Sequence, residues 1–191
     1  MPQPSPRTTE IPVHPQFLDR WSPRSFSSEP VPPETLASLF EAARWAPSCF
    51  NAQPWLFVHA STAGGRARVL DLLVEANQAW AKQAPVLGIL FARRAFEHNG
   101  QPNRWGAFDA GAAALAMSLQ ARGLGLAPHL RGGFGAERAA VALGVPPQDF
   151  EAMAAFAIGQ RGDRGALPAE LAEREGPSSR NPLSEIARGL D

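Results

Sequence analysis

Apolar residues recur at helical spacing in three long stretches of the chain, so we expect helices there. These helices span residues 34–45, 66–82 and 105–123. The third is apolar nearly all the way round and rich in Ala and Gly, which predicts a central helix that is closely approached by other helices or by a second copy of the chain. Shorter helices are expected at about residues 136–143 and 168–173.

Three continuous apolar runs, residues 55–59, 85–91 and 150–159, predict buried strands. The unbroken hydrophobicity of the second run, residues 85–91, indicates a sheet that is covered on both faces. Because strands and helices alternate, the pattern favours a layered domain of the α/β or α+β class. Residues 92–104 are polar and are interpreted as a rim or lid, and residues 125–134 as a glycine-containing connection to the next helix.

Composition narrows the possible functions. A chain of 191 residues has room for one domain with a real core, which we place at residues 14–191. Residues 1–13 are rich in Pro, Ser and Thr and are expected to form a flexible lead-in, not a signal peptide or membrane anchor. The 18 basic and 18 acidic residues cancel, which removes the electrostatic case for a nucleic-acid or anionic-membrane partner. The single cysteine, Cys49, excludes an internal disulfide and fits a cytoplasmic location.

A polar loop lies between the first long helix and the first strand. Pro47 ends the helix, and Ser48, Asn51 and Gln53 then present a hydroxyl and two amides before the strand begins. Such side chains suit a planar, hydrogen-bonding ligand. The alternative is a capped turn in which they bond to nearby backbone atoms.

Arg20, Ser22 and Arg24 alternate along a short segment near the start of the chain. If this segment is extended, the three side chains emerge on one face and can converge on one anion, for which two guanidinium groups and a hydroxyl are well suited. The alternative is an exposed basic turn that pairs with Asp19 or Glu29.

The sequence gives little support for other kinds of catalytic or metal site. The sequence has no phosphate-binding loop, dinucleotide fingerprint or nucleophile elbow, and its four histidines lack the spacing of metal ligands. Cys49 is a candidate nucleophile without an identifiable partner, and its alternative role is a small packed residue. Gly132 and Gly133 allow close backbone approach to a flat ligand, although a glycine pair also suits an ordinary turn.

Six blocks in order along the chain resemble the nitroreductase-like family of FMN-dependent oxidoreductases. The blocks are Arg20-x-Ser22-x-Arg24-x-Phe26, Ala43-Arg44-x-Ala46-Pro47-Ser48-x-x-Asn51-x-Gln53-Pro54-Trp55-x-Phe57, Asp109-x-Gly111-Ala112-Ala113, Gly123-Leu124-Gly125 with Gly132-Gly133-Phe134, Ile158-Gly159, and Arg180-x-Pro182-Leu183. Each block alone is weak, but the ordered set is specific and covers nearly the whole chain.

The resemblance implies an α+β sandwich with a mainly antiparallel central sheet flanked by helices. It also implies an intertwined homodimer, in which the C-terminal tail packs on the partner subunit and one FMN occupies each interface cavity. Hydride would pass from NADH or NADPH to the flavin, and from the flavin to a nitroaromatic, quinone or similar small acceptor. Since FMN carries this chemistry, no catalytic side chain is expected.

The resemblance also implies a set of cofactor-binding residues. Arg20, Ser22, Arg24 and Arg180 would hold the phosphate and ribityl chain. Pro47, Ser48, Asn51 and Gln53 would approach the ring from the other subunit. The backbone of Leu130, Gly132 and Gly133 would lie along the isoalloxazine, with an amide of this turn near N5.

Two other functions and several residue roles stay open at this point. The same fold can serve a weakly catalytic FMN-binding protein that stores or senses flavin, and a flavin-independent interaction domain is a third possibility. His129 and Arg131 flank the glycine pair and could face the flavin or solvent. The bulky rings that could line the substrate side, or could instead belong to the core, are Trp80, Trp105 and Phe96.

Overall fold

A computed structural model describes residues 7–190, so Met1–Pro6 of the expected lead-in lie outside the described residues. The helices are α1 (Pro15–Asp19), α2 (Pro33–Arg44), α3 (Ala63–Leu70), α4 (Glu75–Ala81), α5 (Gly106–Gly123), α6 (Ala136–Ala142), α7 (Ala169–Glu173) and α8 (Leu183–Ile186). The strands are β1 (Trp55–Ala60), β2 (Val86–Arg93), β3 (Ala127–Arg131) and β4 (Phe150–Gly159). No helix between residues 7 and 190 is long and apolar enough to cross a membrane.

The four strands form one antiparallel sheet in the order β1-β2-β4-β3. Alternation along β2 sends Leu87, Ile89 and Phe91 to one face, where they pack in a cluster with residues of α3, α4 and α6. Val86 and Leu90 point to the opposite face and join a cluster with residues of α2 and α5. The predicted sheet with both faces covered is therefore confirmed, as is the α+β sandwich.

The central position of α5 is also confirmed. Ala110, Ala113, Met117 and Ala121 on its inner side have no exposed surface. The small alanine side chains at three of these positions let α5 pack closely against α2 and the sheet. Its other side still exposes large apolar residues, which are Phe108 at 74% and Leu115 at 48%.

The prediction of one helix over residues 66–82 is wrong, because the chain forms α3 and α4 with a break between them. In the break, Leu73 forms a β-bridge with Phe134, and the Val74 amide donates to the Gly133 carbonyl at 3.1 Å. This backbone pairing with a distant segment has no counterpart in the local apolar pattern, which continues through the break. The break between α3 and α4 therefore binds directly to the turn that contains Gly132 and Gly133, called the glycine turn below.

Two connections also differ from expectation. Residues 125–134, interpreted from the sequence as a connection to the next helix, contain the strand β3, which pairs with β4. The Pro, His and Arg residues of β3 interrupt its apolar pattern, so this strand was not predicted. The polar stretch 92–104 begins inside β2 and continues as a small hairpin. The hairpin is closed by an Ala95–Pro102 bridge and a 2.8 Å bond from the Phe96 amide to the Gln101 carbonyl.

Candidate functional site

Three arginines, two near the start of the chain and one in its C-terminal tail, lie close together at one end of α1. They are Arg7, Arg20 directly after α1, and Arg180 in the C-terminal tail. Burial lowers the pKa of Arg20 below its usual range, and the charge of Arg180 lowers it further. Burial also lowers the pKa of Arg7, followed by the charges of Arg180 and Arg20. These positive groups repel one another, and a bound anion such as a phosphate would relieve that repulsion.

Arg7 links the two segments that carry the other arginines. Its Nη1 donates to the carbonyls of Leu18 at 3.1 Å and Arg20 at 2.8 Å, and its Nε donates to the Ser178 carbonyl at 2.8 Å. The sequence analysis did not identify Arg7, because this residue precedes every block that resembles the family. It fastens the tail beside the segment that carries Arg20.

The segment containing Arg20, Ser22 and Arg24 is held in place by side chains from across the fold. Arg122 of α5 forms an ion pair with Asp19 at 3.1 Å. Arg161, after β4, donates to the Asp19 carbonyl at 3.0 Å and lies 4.9 Å from the Trp21 ring centroid. The segment is thus an ordered scaffold, and the half-buried Ser22 lies within it.

Arg24 takes a different partner from Arg20. Its Nη1 lies 3.6 Å from Glu175 Oε2, and both side chains are largely buried, with 20% and 5% of their surface exposed. Glu175 Oε1 also accepts from the Arg24 and Ser25 backbone amides at 2.7 Å and 2.9 Å. The structure therefore brings Arg20 to Arg180, whereas Arg24 pairs with a carboxylate of the tail.

The glycine turn is fixed through its second glycine. The Gly133 carbonyl accepts from Asn77 Nδ2 of α4 at 2.9 Å, in addition to the Val74 amide. A Cβ on Gly133 would lie 2.4 Å from Asn77 Nδ2, whereas one on Gly132 would meet nothing within 4 Å. A side chain at position 133 would therefore displace Asn77, whereas Gly132 leaves the turn open on its outer side. Leu130 precedes the turn as a half-buried residue of β3.

Asn77 is a site residue that the sequence analysis missed. It is 3% exposed and lies on the face of α4 that also buries Trp80 and Ala81. A polar side chain at a buried helical position must find hydrogen-bond partners, and this was the available signal. The partners are the Gly133 carbonyl and Arg131, whose Nε and Nη2 donate to Asn77 Oδ1 at 3.2 Å and 3.0 Å.

His129 lies beneath the site instead of facing a ligand or solvent. It is 3% exposed, and its ring stacks on Trp80 at a centroid distance of 4.6 Å. Its Nδ1 is 2.7 Å from the Pro23 carbonyl, which can only accept, so Nδ1 carries the proton. Burial, with smaller contributions from the charges of Arg131 and Arg24, outweighs the bond to the Pro23 carbonyl and lowers the pKa of His129 to about 4, so the ring is neutral at neutral pH. Trp80, also 3% exposed, belongs to the core.

The polar loop before β1 has an unusual backbone. Phe50, Asn51 and Gln53 adopt positive φ angles of 53°, 54° and 45°. Side-chain-bearing residues adopt this conformation at a cost, and such strain is concentrated at functional sites. The Cys49 amide donates to Asp109 Oδ2 of α5 at 3.0 Å and fixes one end of the strained stretch.

The loop also contains the local bonds of a capped turn. Ser48 Oγ accepts from the Gln53 amide at 3.0 Å, and Gln53 Nε2 donates to the Asn51 carbonyl at 3.2 Å. Pro47, Asn51 and Gln53 are nevertheless exposed. Both interpretations of the loop thus have a structural counterpart, and the exposed amides remain accessible to a ligand.

Aromatic rings connect this loop to the hairpin after β2. Phe50 is 81% exposed, and its ring centroid lies 5.8 Å from that of Phe96 and 5.9 Å from that of His98. Phe96 is only 8% exposed, so it forms the buried base of this group, whereas Trp105 nearby in sequence is 43% exposed. The loop and the arginine cluster rest on different parts of the fold: the loop on α5 and the hairpin, the arginines on α1 and the tail.

The site therefore offers a positive end, a backbone turn and a separate loop with neutral amides. The His, Cys, Asp and Glu residues of the described chain form no group of three or more that could hold a metal ion. Buried atoms without a hydrogen-bond partner include Arg24 Nε, Glu175 Oε2 and Trp80 Nε1, all near the turn or the arginines. The arginines, the backbone turn and the neutral amides together fit a ligand with an anionic end and a flat, hydrogen-bonding end.

Comparison with known proteins shows that a protein-family model matches this chain. The model described as "Nitroreductase family" matches residues 18–79 and 72–160. A crystal structure described as an oxidoreductase containing FMN is 42% identical, with a TM-score of 0.92, and the alignment covers 98% of this chain and 96% of that one. A nitroreductase family protein from Streptococcus pneumoniae is 20% identical, with a TM-score of 0.73 over 90% of this chain and 96% of that one, which shows the shared fold.

Curated relatives give partial and full-length matches. An NADH dehydrogenase of Thermus thermophilus is 28% identical over 88% of this chain and 91% of the relative. A Streptomyces coelicolor relative is 36% identical over 44% of this chain and 41% of the relative. The match thus spans less than half the length of that relative, as it does for those from Leptothrix cholodnii at 38% and Streptomyces griseus at 41%.

Proposed function

Since this chain belongs to the nitroreductase family, we propose that it is an FMN-dependent oxidoreductase that takes hydride from NADH or NADPH and passes it to a small electrophilic acceptor. A nitroaromatic or a quinone is the expected class of acceptor. The cluster of Arg7, Arg20 and Arg180 carries the proposal, because it supplies the positive charge that the phosphate of FMN requires. The similarity to an oxidoreductase containing FMN supports the same cofactor.

The residues take the following roles in this proposal. Arg20 and Arg180 bind the phosphate, with Ser22 on the same ordered segment. The backbone of Leu130, Gly132 and Gly133 lies along the flavin ring, and the open side of Gly132 allows the close approach this needs. When bound, FMN supplies the chemistry of accepting and returning hydride. The protein positions the ring and limits its access to water.

We also propose that the active form is a cytoplasmic homodimer in which Pro47, Ser48, Asn51 and Gln53 approach the flavin held by the other subunit. The exposed Phe108 and Leu115 on α5 support this assembly, because a monomer would leave them in water. The C-terminal tail, which is part of the single domain of residues 14–191, would pack on the partner. Small-molecule substrates would approach the flavin beside the Phe50 loop and the hairpin.

The purified protein is expected to show the absorption bands of bound FMN, and these bands should bleach when NADH or NADPH is added without oxygen. Restoration of the bands by a quinone or nitroaromatic would complete the catalytic cycle. Bound FMN that neither nicotinamide reduces would instead favour the storage or sensing function. A colourless protein that fails to bind added FMN would contradict the proposal.

The glycine turn gives a second test. Gly133→Ala is expected to lower the free energy of unfolding by about 2 kcal/mol, and the melting temperature by roughly 6 °C, because the new Cβ displaces Asn77 from its bond to residue 133. The variant should also retain less FMN, since the turn loses its support. Thermal unfolding of the flavin-free protein measures the first effect.

Gly132→Ala is the matched control, because its Cβ enters open space. Its flavin-free form should unfold at or slightly above the temperature of the unaltered protein. Equal destabilisation by both substitutions would show that the contact between Gly133 and Asn77 has no special part in holding the turn.

A further inference from the structure

A second group of charges interacts with the glycine turn and the C-terminal tail, in addition to the cluster of Arg7, Arg20 and Arg180. It consists of Arg24, Arg131 and Arg174 with one carboxylate, Glu175. Burial lowers the pKa of Arg131, and the charges of Arg24 and then Arg174 lower it further, so these positive groups are close neighbours. Since Glu175 pairs with Arg24, this group has both signs of charge held in fixed positions.

Arg131 is fixed beside the glycine turn. Two of its nitrogens donate to Asn77 Oδ1, and the other end of the Asn77 amide donates to the Gly133 carbonyl. Its guanidinium also lies 6.0 Å from the centroid of the buried Trp80 ring. The positive charge of Arg131 therefore cannot swing freely into solvent, and it stays next to the backbone that the proposed function places along the flavin.

Glu175 is fixed just as firmly. Two backbone amides hold its Oε1, and only 5% of its side chain is exposed. Its Oε2 has no hydrogen-bond partner, and Arg24 Nε also lacks one. Surrounding residues therefore hold the two side chains in place, because the pair itself lacks the geometry of a close hydrogen-bonded ion pair. At this short range the negative charge of Glu175 offsets the positive charge of Arg24.

We propose that Arg131 and Glu175 act in opposite directions as positioning residues that set the electrostatic potential at the flavin ring. The inference rests on the proposed function. Reduced flavin carries more negative charge near N1 than oxidised flavin, so a nearby fixed cation favours the reduced form and a nearby fixed anion disfavours it. Arg131 raises the reduction potential of bound FMN, and Glu175 of the C-terminal tail lowers it by offsetting Arg24.

The test is the midpoint potential of bound FMN in the full-length protein, measured by equilibration with reference dyes. Arg131→Gln should reduce the ratio of reduced to oxidised FMN affinity about tenfold, which shifts a two-electron couple by about 30 mV to more negative values. Glu175→Gln, whose amide oxygen can still accept from both backbone amides, should increase that ratio about tenfold. The double variant should return close to the unaltered protein.

Control variants separate charge from packing. Arg131→Lys keeps the positive charge and should keep the potential within a fewfold change in the affinity ratio. Arg138→Gln and Glu151→Gln remove exposed charges that pair with Asp71 and Arg94, and both should leave the potential unchanged.

Shifts of the same sign in Arg131→Gln and Glu175→Gln, or shifts no larger than those of the exposed controls, would overturn the inference while leaving the proposed function in place. A shift in Arg131→Lys equal to that in Arg131→Gln would also overturn it, because packing and not charge would then be responsible. An unaltered protein that binds no FMN would overturn the inference together with the proposed function.

Discussion

Replacing Arg20 and Arg180 together by alanine is expected to weaken FMN binding by on the order of a hundredfold or more. Each guanidinium contributes charge-assisted hydrogen bonds to a phosphate, and such bonds contribute roughly 1.5–3 kcal/mol each. Loss of two of them leaves Arg7 as the remaining cation of the cluster. The dissociation constant of FMN, measured by quenching of flavin fluorescence, reports this effect directly.

The substitution should leave folding and assembly largely intact. Arg20 and Arg180 repel each other, so their removal relieves an unfavourable interaction in the flavin-free protein. Sedimentation should therefore give the same oligomeric state for the variant and the unaltered protein.

A double variant with Arg44→Ala and Arg138→Ala is the matched control, since both residues form exposed ion pairs with Glu41 and Asp71. It removes the same net charge from elsewhere on the surface. Equal flavin content in the Arg20/Arg180 variant and this control would remove the basis for the phosphate site.

Acidification is expected to destabilise the protein through His129. Its pKa is about 4 in the folded protein and about 6.5 in an unfolded chain, so only the unfolded chain binds a proton between these values. The stabilising contribution is therefore complete above about pH 6.5 and is lost as the pH falls toward 4. Integration over this interval gives roughly 3 kcal/mol of the free energy of unfolding.

Urea unfolding at about pH 7 and about pH 4.5 measures this loss. His129→Gln should show a much smaller loss over the same interval, because glutamine has no proton to bind, although burial of its amide can lower stability at both pH values. The exposed His98→Gln should lose as much stability on acidification as the unaltered protein. Identical pH dependence in His129→Gln and the unaltered protein would rule out His129 as the source.

Much of the fold was predictable because it depends on local patterns. Apolar runs indicate the buried strands β1, β2 and β4, and helical periodicity indicates the buried faces of α2 and α5. Burial of these strands and faces determines how the layers stack. Where the pattern is not apolar, as in β3, prediction failed. The backbone of β3 forms its hydrogen bonds by pairing with β4. The side chains of β3 show no pattern that indicates this pairing.

The candidate site was predictable only in part. Arg20, Ser22, Arg24 and Arg180 were identified as residue types suited to an anion, and the glycine pair as a place of close approach. Their arrangement was not available, because Glu175 reaches Arg24 across a separation of 151 residues, and Asn77 reaches Gly133 across 56. No local pattern specifies which of several carboxylates or amides will meet a given partner.

The sequence by itself determined the helices and strands with strong apolar patterns, the neutral net charge, and an ordered set of blocks typical of nitroreductase-like proteins. Only the tertiary structure decided that Arg7 joins the cluster of Arg20 and Arg180. It also decided that Arg24 is offset by a carboxylate, and that the loop after Ser48 is strained. The physical reason is that burial follows from the composition of each segment, whereas charge pairing and backbone strain depend on which distant segments the completed fold brings together.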